Sequence, residues 1–326
     1  VAKKINANHA TSLPNAQAAS GPDWPIIKEM IGALDLKANS LIVTIFGDAI
    51  WPWGGKIWLG CLIDLAGSFG LTERLVRTGV YRLSQEGWLI SSTQGRRAYY
   101  TFTSLGFEKF NEAQRRIYSA DPLRWDGRWR LVQILPGMTQ TERTTLRREL
   151  KWLGFGQISP AMLAHPSISA ESVRRTLEAT GLASKIFAFN ALTEDFVTME
   201  TVRTMVKSAW SLQKMNSGYA GFIKRFKTID QRLPAWKNMS EETAFIIRIL
   251  LIHDYRRLML KDPQLPEELL PKDWCGGQAR DLTTRLYRTL AGPANAYISS
   301  RFETDLLTKP TLNPLYQQRF GGLPSI

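Results

Sequence analysis

The chain has 326 residues, 44% hydrophobic and 22% charged, the balance of an ordinary soluble protein with room for two or three domains. A formal net charge of +13 gives it a positive field that attracts nucleic acid, an anionic membrane surface or a polyanionic small ligand. Cys61 and Cys275 lie far apart in apolar or mixed segments, a usage that fits reduced thiols rather than a disulfide framework and makes the cytoplasm the expected compartment. The longest apolar runs, "LIVTIF" and "AFIIRILLI", fall short of the roughly 18 residues of a membrane span, so no transmembrane helix is expected.

The first stretch, "VAKKINANHATSLPNAQAASGPDWP", reads as a polar tail, disordered to about Asn39; residues 1–38 are assigned to it. A first helix is expected over Ser40 to Ile50, capped by Asn39 or Ser40 and broken by "WPWGG". A second runs from Ile57 to about Gly67, and Gly70 supplies a turn. The third has Thr72 as its cap, Leu71 and Val76 as a hydrophobic staple, and Gly87 as its stop. Helical spacing puts Leu75, Val76, Gly79, Val80 and Leu83 on one face, and Arg74, Arg77, Thr78, Tyr81, Arg82 and Gln85 on the other. "WLISS" and "AYYTFT" flank "TQGRR" as a β-hairpin. Three helices followed by a hairpin describe a winged helix-turn-helix over residues 39–119, left by an amphipathic helix from Ser104 to Tyr118.

"RWRLVQILP" then has strand character, Thr141 to Leu153 is a charged helix, and "FGQISPAML" a second strand. Ala170 to Thr180 is a further helix and "KIFAFNAL" a further strand. The alternation suggests a ferredoxin-like α+β domain over residues 120–195. After Asp195 long helical patterns take over, so residues 196–326 read as a helical domain. The prolines of "KDPQLPEELLPKDWCGG" make it a packed loop between its last two helices. The fold class is therefore α+β in three domains.

In a DNA-binding helix-turn-helix the second helix of the pair enters the major groove. Arginine donates two parallel bonds to guanine O6 and N7, which makes Arg77 and Arg82 candidates for base contacts and Arg74 for a phosphate. Thr78, Tyr81 and Gln85 are secondary candidates. Arg96 and Arg97, at the hairpin tip, suit a narrow minor groove.

The stretches "SLIVTIFGDAIWPWGGKIWLGCLI", "RLVRTGVYRLSQEGWLISSTQGRRAYYTFT", "RRIY" and "LIHDYRRLMLKDPQLPEELLPKDW" resemble the PaaX family of phenylacetic-acid degradation repressors. The likeness runs from about Asn39 into the third helical region. It implies a homodimeric transcriptional repressor that leaves its double-stranded operator when phenylacetyl-coenzyme A binds. "RLVRTGVYRL" carries the recognition-helix role onto Arg74, Arg77, Thr78, Tyr81 and Arg82, and "GRRAYY" the wing role onto Arg96 and Arg97.

An acyl-coenzyme A needs cations for its phosphates and an apolar slot for its ring. His253, Arg256 and Arg257 of "IHDYRR", with Lys272 and Trp274 of "PKDWCGG", are candidates for a pocket between the second and third domains. Each also reads as an ordinary packing or surface residue. No second histidine or cysteine stands near His253 at metal-ligand spacing. Nucleotide-binding glycine loops and hydrolase motifs are absent, so neither catalysis nor a bound cofactor is expected. Two rival readings stay open. One is a ligand-independent nucleic-acid-binding protein. The other is a metal-dependent nuclease resembling Cas2, against which the first strand ends in "VQILPG" instead of an aspartate and Asp126 precedes it.

Overall fold

The computed structural model describes residues 24–119, 124–236, 238–303 and 311–324. These fall into two units. The first holds 24–114, Pro234–His253 and the residues from Arg285 on; the second holds Arg115–Leu233 and Asp254–Thr284. The grouping differs from the three sequence-drawn segments, because parts of the C-terminal helices join the N-terminal unit.

The first unit begins with helix α1, Trp24–Ala33, which buries Ile27, Met30 and Ile31. This corrects the expected disorder to Asn39 for these residues: three apolar side chains on one helical face suffice to dock the segment, with Pro25 tolerated in its first turn. The rest of the expected tail, residues 1–23, lies outside the described residues. Helix α2, Ala38–Ile45, follows, and its cap is Lys37, with no side-chain bond, instead of Asn39 or Ser40. The backbone widens into a π-turn over Phe46–Ile50, tightens into a 3₁₀ turn over Trp51–Trp53, and ends at Gly54 with φ +94°.

Strand β1, Lys56–Trp58, then precedes helix α3, Leu59–Gly67, and helix α4, Glu73–Gln85. Strands β2, Leu89–Gln94, and β3, Arg97–Phe102, form the hairpin, and helix α5, Ser104–Tyr118, leaves it. Among the described residues the sheet order is β1-β3-β2, with Ile57 opposite Tyr100 and Ser91 opposite Tyr100 on the other side. Residues 57 and 58, expected to open a helix, are strand because β3 offers them a free edge.

The start of α5 lies close against the hairpin's base. A Cβ added at Gly106 would stand 2.2 Å from the Trp88 carbonyl oxygen, and backbone cannot give way as a side-chain tip does. Gly106→Ala is expected to cost about 2–3 kcal/mol, read as a lowered urea midpoint at unchanged slope.

The second unit opens with strand β4, Arg128–Ile134, and helix α6, Gln140–Trp152, which starts in a capping box between Thr139 and Glu142. Strands β5, Gly156–Ser159, and β6, Met162–His165, form a tight hairpin where one strand was expected. Helix α7, Ala170–Thr180, and strand β7, Ile186–Leu192, complete a β-α-β-β-α-β path with sheet order β5-β6-β4-β7. That order is ferredoxin-like. Val132, Ile134, Leu146, Leu150, Val173 and Leu177 form the core between sheet and helices.

The sheet's other face packs Trp129 and Ala164 against Val202, Val206 and Trp210. Helix α8, Met199–Ala209, supplies two of these, and helix α9, Leu212–Arg232, follows it after a short break. Helices α10, Glu241–Met259, and α11, Gly276–Glu303, are each shared by the two units; the short helix α12, Pro314–Gln317, belongs to the first. The proline-rich loop between α10 and α11 buries Leu265 and Leu269, so it is packed, as its length and prolines suggest.

His165, at the end of β6, is buried, and its Nδ1 accepts bonds from the Ser167 and Ile168 amides at 3.1 and 3.0 Å. Burial first, and the Arg116 charge second, push its pKa down to about 4. The folded state holds the ring neutral, whereas the unfolded chain protonates it near pH 6.5. Its contribution is therefore complete above about pH 6.5 and is lost as pH falls toward 4, up to about 3 kcal/mol. Urea melts across that window should show the decline, and His165→Gln should flatten it.

Inside the first unit a buried polar cluster ties distant segments together. The π-turn carries Asp48, whose Oδ2 accepts from Arg248 Nε at 2.9 Å. Asp48 Oδ1 accepts from Tyr287 Oη at 2.8 Å and from Arg319 Nη1 at 3.0 Å. Arg248 Nη1 also donates to Asn295 Oδ1 at 2.8 Å.

Candidate nucleic-acid interface

Helices α3 and α4 are joined by a turn through Gly70, whose φ of +80° suits a residue without a Cβ. The Thr72 side chain caps α4 by accepting from the Leu75 amide at 3.3 Å. Val76, Gly79, Val80 and Leu83 are buried. Gly79 permits a close approach to α2: a Cβ there would meet Ile42 Cδ1 at 2.6 Å. Leu75, assigned to the packing face, is 38% exposed, because it lies at the margin of the apolar stripe.

The opposite face is open. Arg74, Arg77, Thr78, Tyr81, Arg82 and Gln85 are all exposed, and Tyr81 leaves 65% of its surface accessible. Their engagements differ. Arg77 pairs with Glu73 across one helical turn at 2.7 Å, an exposed contact worth only about 0.3–0.5 kcal/mol. Thr78 Oγ1 donates to the Arg74 carbonyl at 2.8 Å. Such a contact leaves the hydroxyl only its acceptor role toward a ligand.

The hairpin turns through Gly95, φ +59°, and Arg96, with Gln94 facing Arg97 as the last strand pair. Arg96 is exposed at the tip. Arg97 is not equivalent to it: its guanidinium lies over the Trp58 ring, 4.6 Å from the centroid, so this arginine packs on β1. Lys56 similarly lies 4.9 Å above the Tyr99 ring. Lys56 and Trp58 thus belong to the hairpin's surroundings and were missed because β1 was read as helix.

The expected effector residues are dispersed in role. His253 is completely buried in the first unit, where its Nδ1 lies 3.0 Å from Thr44 Oγ1. In the second unit Arg256 is half-buried and pulled down to about 10 by burial, while Arg257 and Lys272 are exposed. Trp274 packs edge-on against Tyr219 at 5.5 Å.

Among the described residues no group of three or more His, Cys, Asp or Glu side chains is placed to hold a metal ion. β4 runs out into Leu135 and Pro136, and Asp126 uses Oδ1 to accept from the Arg128 amide at 3.0 Å. Within the same residues no helix is long and apolar enough to cross a membrane.

Taken in order, a capped basic helix beside a β-hairpin, a ferredoxin-like domain and a helical segment define an α+β protein with a central ferredoxin-like module. Three family models match consecutive stretches: PaaX-like protein at residues 37–106, PaaX protein central Cas2-like domain at 122–203, and PaaX-like protein C-terminal domain at 210–300. The chain is 38% identical over 298 residues to the transcriptional repressor PaaX of Escherichia coli (strain K12), covering 91% of this chain and 94% of that protein. A solved structure of an uncharacterized protein from Mycobacterium tuberculosis is similar in fold, with a TM-score of 0.53, 19% identity, and coverage of 83% of this chain and 99% of that one. This chain belongs to the PaaX family.

Proposed function

We infer that the chain is a transcriptional repressor that binds operator DNA through a winged helix-turn-helix, with α4 in the major groove and the β2–β3 hairpin as its wing. The observation that carries this is the outward face of α4: guanidinium, hydroxyl, phenol and amide groups stand exposed on one side of a helix whose other side is buried. The relative named as a transcriptional repressor supports it. Arg77 and Arg82 read bases, Arg74 meets a phosphate, and Thr78, Tyr81 and Gln85 add contacts. Leu75, exposed at the helix margin, is an apolar partner for a thymine methyl group. A homodimer presents two such helices about 10 base pairs apart, or a multiple of that.

The finer reading is that the operator controls phenylacetate catabolism and that phenylacetyl-coenzyme A releases it. The ligand acts only as far as it binds the released form more tightly than the bound one. A gel shift on an operator-bearing fragment tests both levels. Binding over random DNA, abolished by phenylacetyl-coenzyme A and not by free coenzyme A, is the expected result. Sequence-blind, ligand-blind binding would return the protein to the ligand-independent class.

A further inference from the structure

The turn between α3 and α4 is docked on the parts of α10 and α11 that belong to the first unit. Ser240 caps α10 by accepting from the Thr243 amide at 3.1 Å, which sets Glu242 in the first turn of that helix. Glu242 Oε1 accepts two bonds, from Ser68 Oγ at 2.9 Å and from Tyr297 Oη at 3.1 Å. Arg301, one turn further along α11, donates from Nη2 to the same Tyr297 oxygen at 3.2 Å, and its guanidinium lies 4.9 Å from the ring centroid. A chain of bonds thus runs from α11 through α10 to the turn. A second layer is aromatic. The Phe69 ring meets Phe245 of α10 edge-on at 5.6 Å, and Phe245 stacks on Tyr297 at 5.2 Å; all three rings are buried. Cys61 of α3 adds a third link, its thiol donating to the Arg301 carbonyl at 3.5 Å.

We propose that α10 and α11 form the seat of the helix-turn-helix, in which Ser68, Glu242 and Tyr297 are positioning residues: they set the angle at which α4 leaves the turn, and so govern base reading without touching DNA. Mid-helix, Gly79 lets α4 press on Ile42 of α2, while its N-terminal end is placed by the seated turn just before the Thr72 cap. That end carries Arg74 and Arg77, and in a helix-turn-helix the N-terminal residues of the second helix meet base edges. A bidentate arginine contact tolerates only a few tenths of an ångström, because its bonds hold within about 2.7–3.2 Å. A charge beside a phosphate keeps most of its attraction over the same shift. Loosening the seat therefore costs base discrimination more than it costs attraction to the backbone. Glu242 lies 174 positions from Ser68, so a DNA-binding domain drawn to end at residue 119 leaves the seat out.

This rests on the reading of α4 as the helix that enters the groove, and fluorescence anisotropy of the full chain on operator and random duplexes separates the two. Glu242→Ala and Tyr297→Phe, the second of which removes the bonding oxygen and keeps the stacked ring, are each expected to weaken operator binding about tenfold while random-duplex affinity stays within about twofold. The slope of log affinity against log salt should not change, because no phosphate contact is lost. Glu242→Gln, whose amide oxygen still accepts both bonds, should restore operator preference. A purely structural loss would lower both affinities together through the folded fraction, which urea melts follow in parallel. Ser68→Ala breaks a single bond at a half-buried position, should lower the operator-to-random ratio about threefold, and decides the matter if Glu242→Ala fails to fold. Operator preference that survives in the folded variants, or equal loss on both duplexes, overturns the seat and leaves DNA reading by α4 intact. A wild-type chain without operator preference overturns both.

Discussion

Asp48→Asn is expected to destabilise the protein by about 3–5 kcal/mol, the largest single-residue effect in the first unit. Asp48 and Arg248 have side chains with 0% exposure and Arg319 has 1%, so water screens none of the three charges. Burial pulls Arg248 toward losing its proton, but the Asp48 carboxylate, with Tyr316 and Tyr287, outweighs it and the guanidinium stays charged. Two cations thus share one anion in the interior. Removing that anion takes from both guanidiniums the carboxylate they bond, and arginine has no accessible neutral form to retreat to. Pairing Asp48→Asn with Arg319→Met should recover part of the loss by removing one of the two buried cations. Urea unfolding of the single and double variants measures both steps. A single-variant loss below about 1 kcal/mol would mean that the cluster is solvated in solution.

This cluster is also where sequence reading failed most, and the reason is physical. Its partners lie 200 and 271 positions apart for Asp48 with Arg248 and with Arg319, and periodicity reports only near neighbours. One signal was present. Arg248 interrupts "AFIIRILLI", and a lone arginine inside an apolar helical run is a buried charge in need of a carboxylate. By contrast α4, α6 and α7 were legible because each carries its own cap and its own apolar stripe. The short strands were not: β1 has three residues and exists by pairing with β3, and β5 and β6 are a hairpin turned at Pro160 and Ala161 that reads as one apolar run.

The same limit shaped the candidate interface. The exposed row of α4 follows from local spacing and was read almost completely; only Leu75 changed face. The distinction between Arg96 and Arg97 depends on Trp58, a residue of β1, and so required the sheet.

Replacing Arg77 and Arg82 by alanine is expected to cost about 1–3 kcal/mol each on the operator, with base preference relaxed at one position per arginine. The two should not behave alike in the free protein. Arg77 must leave Glu73 to reach a base, and Glu73→Gln should therefore tighten DNA binding slightly by releasing it and removing a negative charge near the phosphates. Arg96→Ala should lower the slope of log affinity against log salt by about one, as expected for a lost phosphate contact. Arg97→Ala should change that slope less and lower stability instead, because its guanidinium is stacked on Trp58. Fluorescence anisotropy on the operator, on single-base variants and on random duplex, repeated across salt concentrations, distinguishes these outcomes. Equal losses for Arg77→Ala on all sequences would reassign it to the phosphate backbone. Full affinity in the Arg77→Ala, Arg82→Ala double variant would overturn the assignment of base contacts to these two arginines.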